Sequence, residues 1–308
     1  MLLWQYGALR LVHLVYTFVS LIAELWSKLR APPPLPLRAT RRRLPQHLGI
    51  LFVHASNSQL ARECLQECIQ RAVGWSRAVG VEKLTLYDDA GLLEECADDI
   101  SERLYASCGS PDESVESEVE YPLTPPLSDC SDSRPLSPEA SMPPSATTIQ
   151  LPPSIRKRNS RFGLKTRRSR EQISQRPVTL CIASRRSGKP AIAAAATTLA
   201  QKRAFGAPDT TLSVQTLDGL LEGPNSVSAP DFMIVHHLNS TPQPLELYGF
   251  PPWQIRLTEI HYKPRSGLIA RLGGLLRTRP KNAPNVLSEE DFRAALDDFA
   301  GAEMRFGR

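Results

Sequence analysis

The stretch LPQHLGILFVHASNSQLARE, residues 44–63, decides the fold. Its Leu48–His54 segment (LGILFVH) is a short apolar run with branched and aromatic side chains, the pattern of a strand buried on both faces. Ser56 or Asn57 is placed to cap the helix that follows, expected over Ser56–Val79. Its apolar positions Leu60, Cys64, Leu65, Cys68, Ile69, Ala72 and Val73 recur at helical spacing, and Gly80 ends it. Val81–Tyr87 (VEKLTLY) reads as a second strand, Asp88–Gly91 as a turn and Leu92–Tyr105 as another helix. Strand, helix and strand joined by short connections imply a parallel α/β sheet.

Beyond residue 106 the pattern dissolves. Residues 107–148 are rich in Ser, Pro and acid, and 156–170 hold eight Lys/Arg in fifteen positions. Such a composition buries too little apolar surface to offset chain entropy, so 107–176 is expected to be a disordered insertion. Its basic run reads as a solvated linker, drawn to the acidic half or to lipid headgroups, in preference to a nucleic-acid patch. Thr124 and Ser137 each precede a proline and are open to phosphorylation. Order resumes at Pro177, with strands expected at Val178–Ala183, Phe232–Val235 and Ile255–Tyr262 and an Ala-rich helix at Ala191–Arg203. A last helix is expected over Ser288–Arg305, with Ser288 as N-cap and Asp291 three residues on. The chain of 308 residues thus reads as one α/β domain, 47–106 plus 177–308, with a mostly parallel central sheet flanked by helices and a long loop let into it.

Upstream, residues 1–30 read as an N-terminal membrane anchor. Leu11–Ala23 is apolar but for His13, Thr17 and Ser20, and Trp4, Tyr6 and Trp26 stand near the ends as interfacial aromatics do. A span needs about 20 apolar residues, which the segment reaches only with Leu2–Leu9 included. An interfacial or re-entrant helix and a soluble helix are the alternatives. The basic flank of Lys28, Arg30, Arg38, Arg41, Arg42 and Arg43 places the main domain on the cytosolic side. Residues 31–46, proline-rich then basic, read as a semi-rigid linker.

Composition excludes little. A net charge of +5 is compatible with nucleic acid, an anionic membrane or a phosphorylated substrate. The six cysteines form no CxxC pair, so reduced, buried thiols are expected. Ser184–Lys189 (SRRSGK) lacks the first glycine of a phosphate-binding loop, and His236-His237 have no nearby Cys or His to complete a metal set.

Three motifs carry a resemblance. Residues 44–63 are similar to the opening of the cis-prenyltransferase fold, where active members read M-D-G-N-R-R-W-A. Aligned without gaps, this chain offers His54, Ala55, Ser56, Asn57, Ser58, Gln59, Leu60 and Ala61. Asn57 and Ala61 match; Ala55 stands at the metal-binding aspartate, and Ser58 and Gln59 stand at the two diphosphate-gripping arginines. Pro230, Asp231, Trp253, Gln254 and Glu259 also match active members, whose arginine is replaced by Val235 and whose Thr-Ser is replaced by His236-His237, whereas the combination WQIRLTEI at 253–260, with Arg256, is closer to the Nogo-B receptor family, the accessory subunit of eukaryotic dehydrodolichyl diphosphate synthase. That family ends in Arg-x-Gly, as this chain does with Arg305-Phe306-Gly307-Arg308.

The resemblance implies a division of labour. Ionising an allylic diphosphate requires charge stabilisation by Mg²⁺ and cationic donors, and Mg²⁺ requires carboxylate and phosphate oxygens. Ala55, Ser58 and Gln59 supply neither. The expected function is therefore a catalytically incomplete subunit of a heteromeric cis-prenyltransferase. The heteromeric enzyme is expected to condense isopentenyl diphosphate onto farnesyl diphosphate in cis for dolichol synthesis and protein glycosylation, at the endoplasmic reticulum membrane. Mg²⁺ sits mainly on a catalytic partner subunit, and Arg305 and Gly307 reach into that partner's site to bind diphosphate. Trp253, Arg256 and Glu259 are structural or interface candidates, with Glu259 read as pairing either with Arg256 or with a residue of the partner subunit, and Asp231 reads as a turn or cap. A non-enzymatic membrane receptor or scaffold is the alternative.

Overall fold

The structure is a computed structural model and describes residues 2–30, 32–54, 59–107, 146–153, 177–204, 212–223, 226–239, 244–263 and 285–303. Strand β1 (His47–Val53) is buried at every position, as its unbroken apolar run requires. It pairs in parallel with β2 (Lys83–Asp88) on one side and β5 (Phe232–His237) on the other. β4 (Val178–Ser184) extends the parallel sheet beyond β2, and β6 (Glu259–Tyr262) extends it beyond β5. β3 (Ala146–Leu151) closes the β4 side antiparallel, completing the order β3-β4-β2-β1-β5-β6. The expected mostly parallel sheet flanked by helices is therefore present.

Alternation along the strands separates two cores. Leu48, Ile50 and Phe52 of β1, with Leu84, Leu86, Leu180, Ile182, Phe232 and Ile234, face helices α2 (Gln59–Val79), α3 (Leu92–Glu95), α4 (Ala97–Ser107) and α7 (Glu289–Gly301). Phe292 of α7 lies 5.3 Å from Trp75, and Phe299 lies 5.0 Å from Phe232. Burying each such side chain stabilises the fold by about 1.5–3 kcal/mol. The intervening residues Leu51, Val53, Tyr87, Cys181, Ala183, Met233 and Val235 face Val227 and the 247–255 segment on the other side. There α5 (Lys189–Ala204) and α6 (Val214–Leu221) close a small cluster of Ala191, Ala195 and Leu221 under Trp253.

Several expectations change. Ala146–Leu151 belongs to the sheet although it falls inside the 107–176 segment read as disordered. Ile149 and Leu151 are buried while Thr147, Thr148 and Gln150 are exposed, the two-sided habit of an edge strand. The helix expected over Leu92–Tyr105 breaks at Cys96 into α3 and α4. The strand expected over Ile255–Tyr262 shrinks to β6, because the chain bends at Arg256 and Leu257, where Arg256 reaches Asp218 and Glu222. α6 had no counterpart in the sequence reading. The last helix ends at Gly301 rather than Arg305; Ser288 caps it by accepting the Asp291 N–H at 3.0 Å, as expected.

Leu2–Arg30 forms one helix, α1, and its described apolar side chains stand in the open: Leu11 is 65% and Phe18 62% exposed. Among the described residues no helix is long and apolar enough to cross a membrane. Arg10 interrupts the apolar run, and His13, Thr17 and Ser20 dilute it.

Candidate functional site

In an open parallel sheet, ligands bind outside the carboxyl ends of the strands where the strand order reverses. Here the chain moves from β1 outward to β2 and β4, then returns to the far side of β1 with β5. The reversal lies between β1 and β5, so the carboxyl end of β1, with His54, borders the ligand-binding edge. Ala55, Ser56, Asn57 and Ser58 lie outside the described residues. Gln59 opens α2, and its Nε2 donates to Glu63 Oε1 at 3.2 Å along the same helix.

Around that position the strand ends carry polar groups with defined work. His54 Nε2 lies 3.5 Å from Asp88 Oδ2, with both side chains buried. Asp88 accepts the Leu92 N–H at 2.8 Å and the Leu93 N–H at 3.2 Å, so its carboxylate caps the orphan donors of α3. Ser184, ending β4, donates to Glu94 Oε1 at 2.7 Å and accepts the Arg186 N–H at 3.2 Å. Ser184 and Glu94 line a cleft of about 440 Å³ together with Asp89, Gly91, Arg185 and Arg186. Acid and base face each other across it, which leaves no single-sign field for an anion or a cation.

Ser184–Lys189 is a strand end, one 3₁₀ turn and a helix start, not a glycine cradle. Gly188 serves packing: a Cβ there would meet the Gly249 carbonyl oxygen at 2.5 Å. Tyr87 holds the same loop by donating its hydroxyl to the Tyr248 carbonyl at 2.8 Å, and burial pushes its phenol upward.

The two histidines after β5 divide. His236 Nε2 donates to the Asn285 carbonyl at 2.8 Å, and Asn285 Nδ2 donates to the His237 carbonyl at 2.8 Å. The segment entering α7 is thereby pinned across the end of β5. The His237 ring lies edge-on to Tyr248 and Tyr262, at 6.2 and 5.6 Å, and burial lowers its pKa. Among the described residues no three His, Cys, Asp or Glu side chains form a group able to hold a metal ion.

The remaining candidates separate. Trp253 and Arg256 act together on α6: Trp253 Nε1 donates to Asp218 Oδ1 at 2.9 Å, and Arg256 pairs with Asp218 and, at 3.0 Å, with Glu222. Arg256 also lies over the Trp253 ring at 5.6 Å. The expected Arg256–Glu259 pair does not form, because Asp218 and Glu222 engage the guanidinium first. Asp218 is held below the usual carboxylate range, chiefly by the Trp253 N–H. Glu259 stands exposed on β6 beside His261, Lys263 and Asp298. Asp231 is a cap, as expected: its Oδ2 accepts the Gln46 and His47 N–H groups at 3.0 and 2.9 Å. Leu257, next to Arg256, is 66% exposed. Arg305 and Gly307 lie outside the described residues. The sequence reading named His54 in the aligned loop and Asp88 in a turn without giving either this polar work; an aspartate four residues before the apolar Leu92 in DDAGLLEE was the available signal for the cap. No family profile and no curated protein matches the chain.

Proposed function

We propose that this chain is the accessory, catalytically incomplete subunit of a heteromeric cis-prenyltransferase, a dehydrodolichyl diphosphate synthase. The observation that carries the reading is the loop after β1. β1 ends at the strand-order reversal, where such a fold takes its ligand, yet the sequence that follows, Ala55 to Gln59, holds no carboxylate and no cation. The donors at this edge do not fit Mg²⁺. Ala55 offers no oxygen, and both oxygens of Asp88 already accept backbone N–H groups. In this reading Mg²⁺ belongs to a catalytic partner subunit. No step is assigned to it on this chain.

What this chain supplies is its tail. The Arg305 guanidinium offers a planar fork of donors suited to a diphosphate oxygen pair. Gly307 lets the backbone approach closely and present its N–H. Both act on isopentenyl and allylic diphosphates in the partner's site. α1 brings the chain to the endoplasmic reticulum membrane, where the dolichol precursor is made for protein glycosylation. Its exposed apolar side chains support this, as does the basic flank after it. Arg41 is excepted from that flank, since its side chain is fully buried.

The test is incorporation of labelled isopentenyl diphosphate onto farnesyl diphosphate by four samples: this chain, its catalytic homologue, the pair, and the pair with Arg305→Ala. Activity is expected from the pair alone, falling about a hundredfold with Arg305→Ala, as for loss of one charge-stabilising donor. Full activity of the single chain would overturn the incomplete-enzyme reading. A pair indifferent to Arg305→Ala would leave a scaffold.

A further inference from the structure

The linker before the domain is fastened to the last helix. Residues 32–36 include four prolines, which have no N–H and favour an extended chain that offers more carbonyls than donors. Two arginines collect those carbonyls. Arg293 of α7 donates to the Pro34 carbonyl at 2.5 Å and the Leu35 carbonyl at 2.8 Å. Arg41 donates to the carbonyls of Leu35, Pro36 and Leu37 at 3.0, 3.2 and 3.1 Å. Its Nε donates to Asp297 Oδ1 at 2.7 Å, and Asp297 Oδ2 accepts the Leu35 N–H at 2.7 Å. The Arg41 side chain is 0% exposed and that of Asp297 25%. The expected spacer is thus, over 34–41, a strap. Arg293 and Asp297 stand four residues apart on one face of α7, while Phe292, Leu296 and Phe299 bury the face toward the sheet. The helix is gripped from two sides.

We infer that Arg41, Asp297 and Arg293 are positioning residues for the C-terminal tail. The inference rests on the subunit reading above. Asp297 precedes Gly301, the end of α7, by one turn, and Arg305 follows Gly301 by four residues. A guanidinium that must meet a diphosphate in another subunit is only as well placed as the helix end that carries it. A misplacement of about 1 Å is enough to cost a hundredfold in rate. The sheet-side contacts fix the rotation and depth of α7, and the strap fixes its outer face at the last turn before the tail. The same strap joins the tail's root to the chain leaving α1.

A double-mutant cycle in the complex with the catalytic subunit tests this, with isopentenyl and farnesyl diphosphates as substrates. Asp297→Asn is expected to lower kcat/KM about tenfold, and Asp297→Asn with Arg305→Ala to be no worse than Arg305→Ala alone, since one residue acts through the other. Amide exchange at 298–303 is expected to accelerate in Asp297→Asn, with β1 unchanged. Full additivity of the two substitutions, or unchanged exchange at 298–303, overturns the inference. Should Asp297→Asn fail to assemble with the catalytic subunit, Arg293→Gln leaves the buried Arg41–Asp297 pair in place and carries the same two readouts. A neutral Arg305→Ala overturns the subunit reading itself. A damaging Arg305→Ala with an additive Asp297→Asn overturns only the positioning role.

Discussion

At the scale of single residues, His47 sets a pH limit on the fold. It opens β1 at the end opposite the candidate site, 7% exposed, with Nδ1 on the Ala229 carbonyl at 2.9 Å and Nε2 on the Thr85 hydroxyl at 2.7 Å. Burial first, and Lys83 second, lower its pKa to about 4, against the raising pull of the Ala229 carbonyl and Asp231. The unfolded chain takes up this proton near 6.5 and the folded chain only near 4. Between those values the unfolded state binds more protons, so stability rises with pH across the window and is lost as pH falls. The loss is about 2 kcal/mol by pH 5 and about 3 by pH 4. His47→Gln keeps a donor and an acceptor without the titration. Urea midpoints at pH 7.5 and 5.0 should show the parent losing about 2 kcal/mol more than the variant; equal losses would place the acid sensitivity elsewhere. No apolar pattern marks such a residue. His47 reads from the sequence as a polar neighbour of a strand, and only the register that sets it beside Thr85 and Ala229 makes it a buried polar joint.

At the scale of elements, what was legible followed apolar continuity. β1 and β5 are apolar runs save for the histidines at their ends, β2 and β4 bury apolar side chains at most positions, and Ser288 with Asp291 announced α7. β3 was hidden because its six residues carry only two buried side chains, in a neighbourhood of Ser, Pro and acid. Local composition favours disorder there, and pairing with β4 reverses it. Tyr105 of α4 donates to the Gln150 carbonyl at 2.9 Å, and Arg77 of α2 donates to the Pro152 carbonyl at 2.8 Å, fastening the strand from two helices. Ile149→Ala should therefore cost about 2–3 kcal/mol, and exposed Thr147→Ala under about 0.5 kcal/mol, both by denaturant midpoint. If both are neutral, residues 146–151 are not part of the folded sheet. The candidate site was legible in a different sense. Its loop was named by resemblance, and Ala55 to Ser58 lie outside the described residues, whereas the strap on α7 depends on contacts between residues far apart in the chain, which periodicity does not encode.

At the scale of the whole molecule, the boundary of the folded unit falls inside the linker rather than at its end. α1 leaves its described apolar side chains exposed, so the α/β domain gains little from it. The strap is different: Leu37 packs on the main core, and Arg41 joins four carbonyl and carboxylate acceptors to α7. Two truncations separate these contributions. Deleting residues 2–30 should change the unfolding free energy by less than about 0.5 kcal/mol while abolishing flotation with anionic vesicles. Deleting 2–43 removes Arg41 and leaves Asp297 without its cation, and should cost about 2 kcal/mol or more. Urea denaturation of the full chain and both truncations, in the same detergent, measures the pair of differences. Equal stability of the two truncated forms would mean that the strap lies on α7 without holding it. A large loss from 2–30 alone would make α1 a structural part of the domain, and its exposed apolar surface would then have to be covered by something other than lipid.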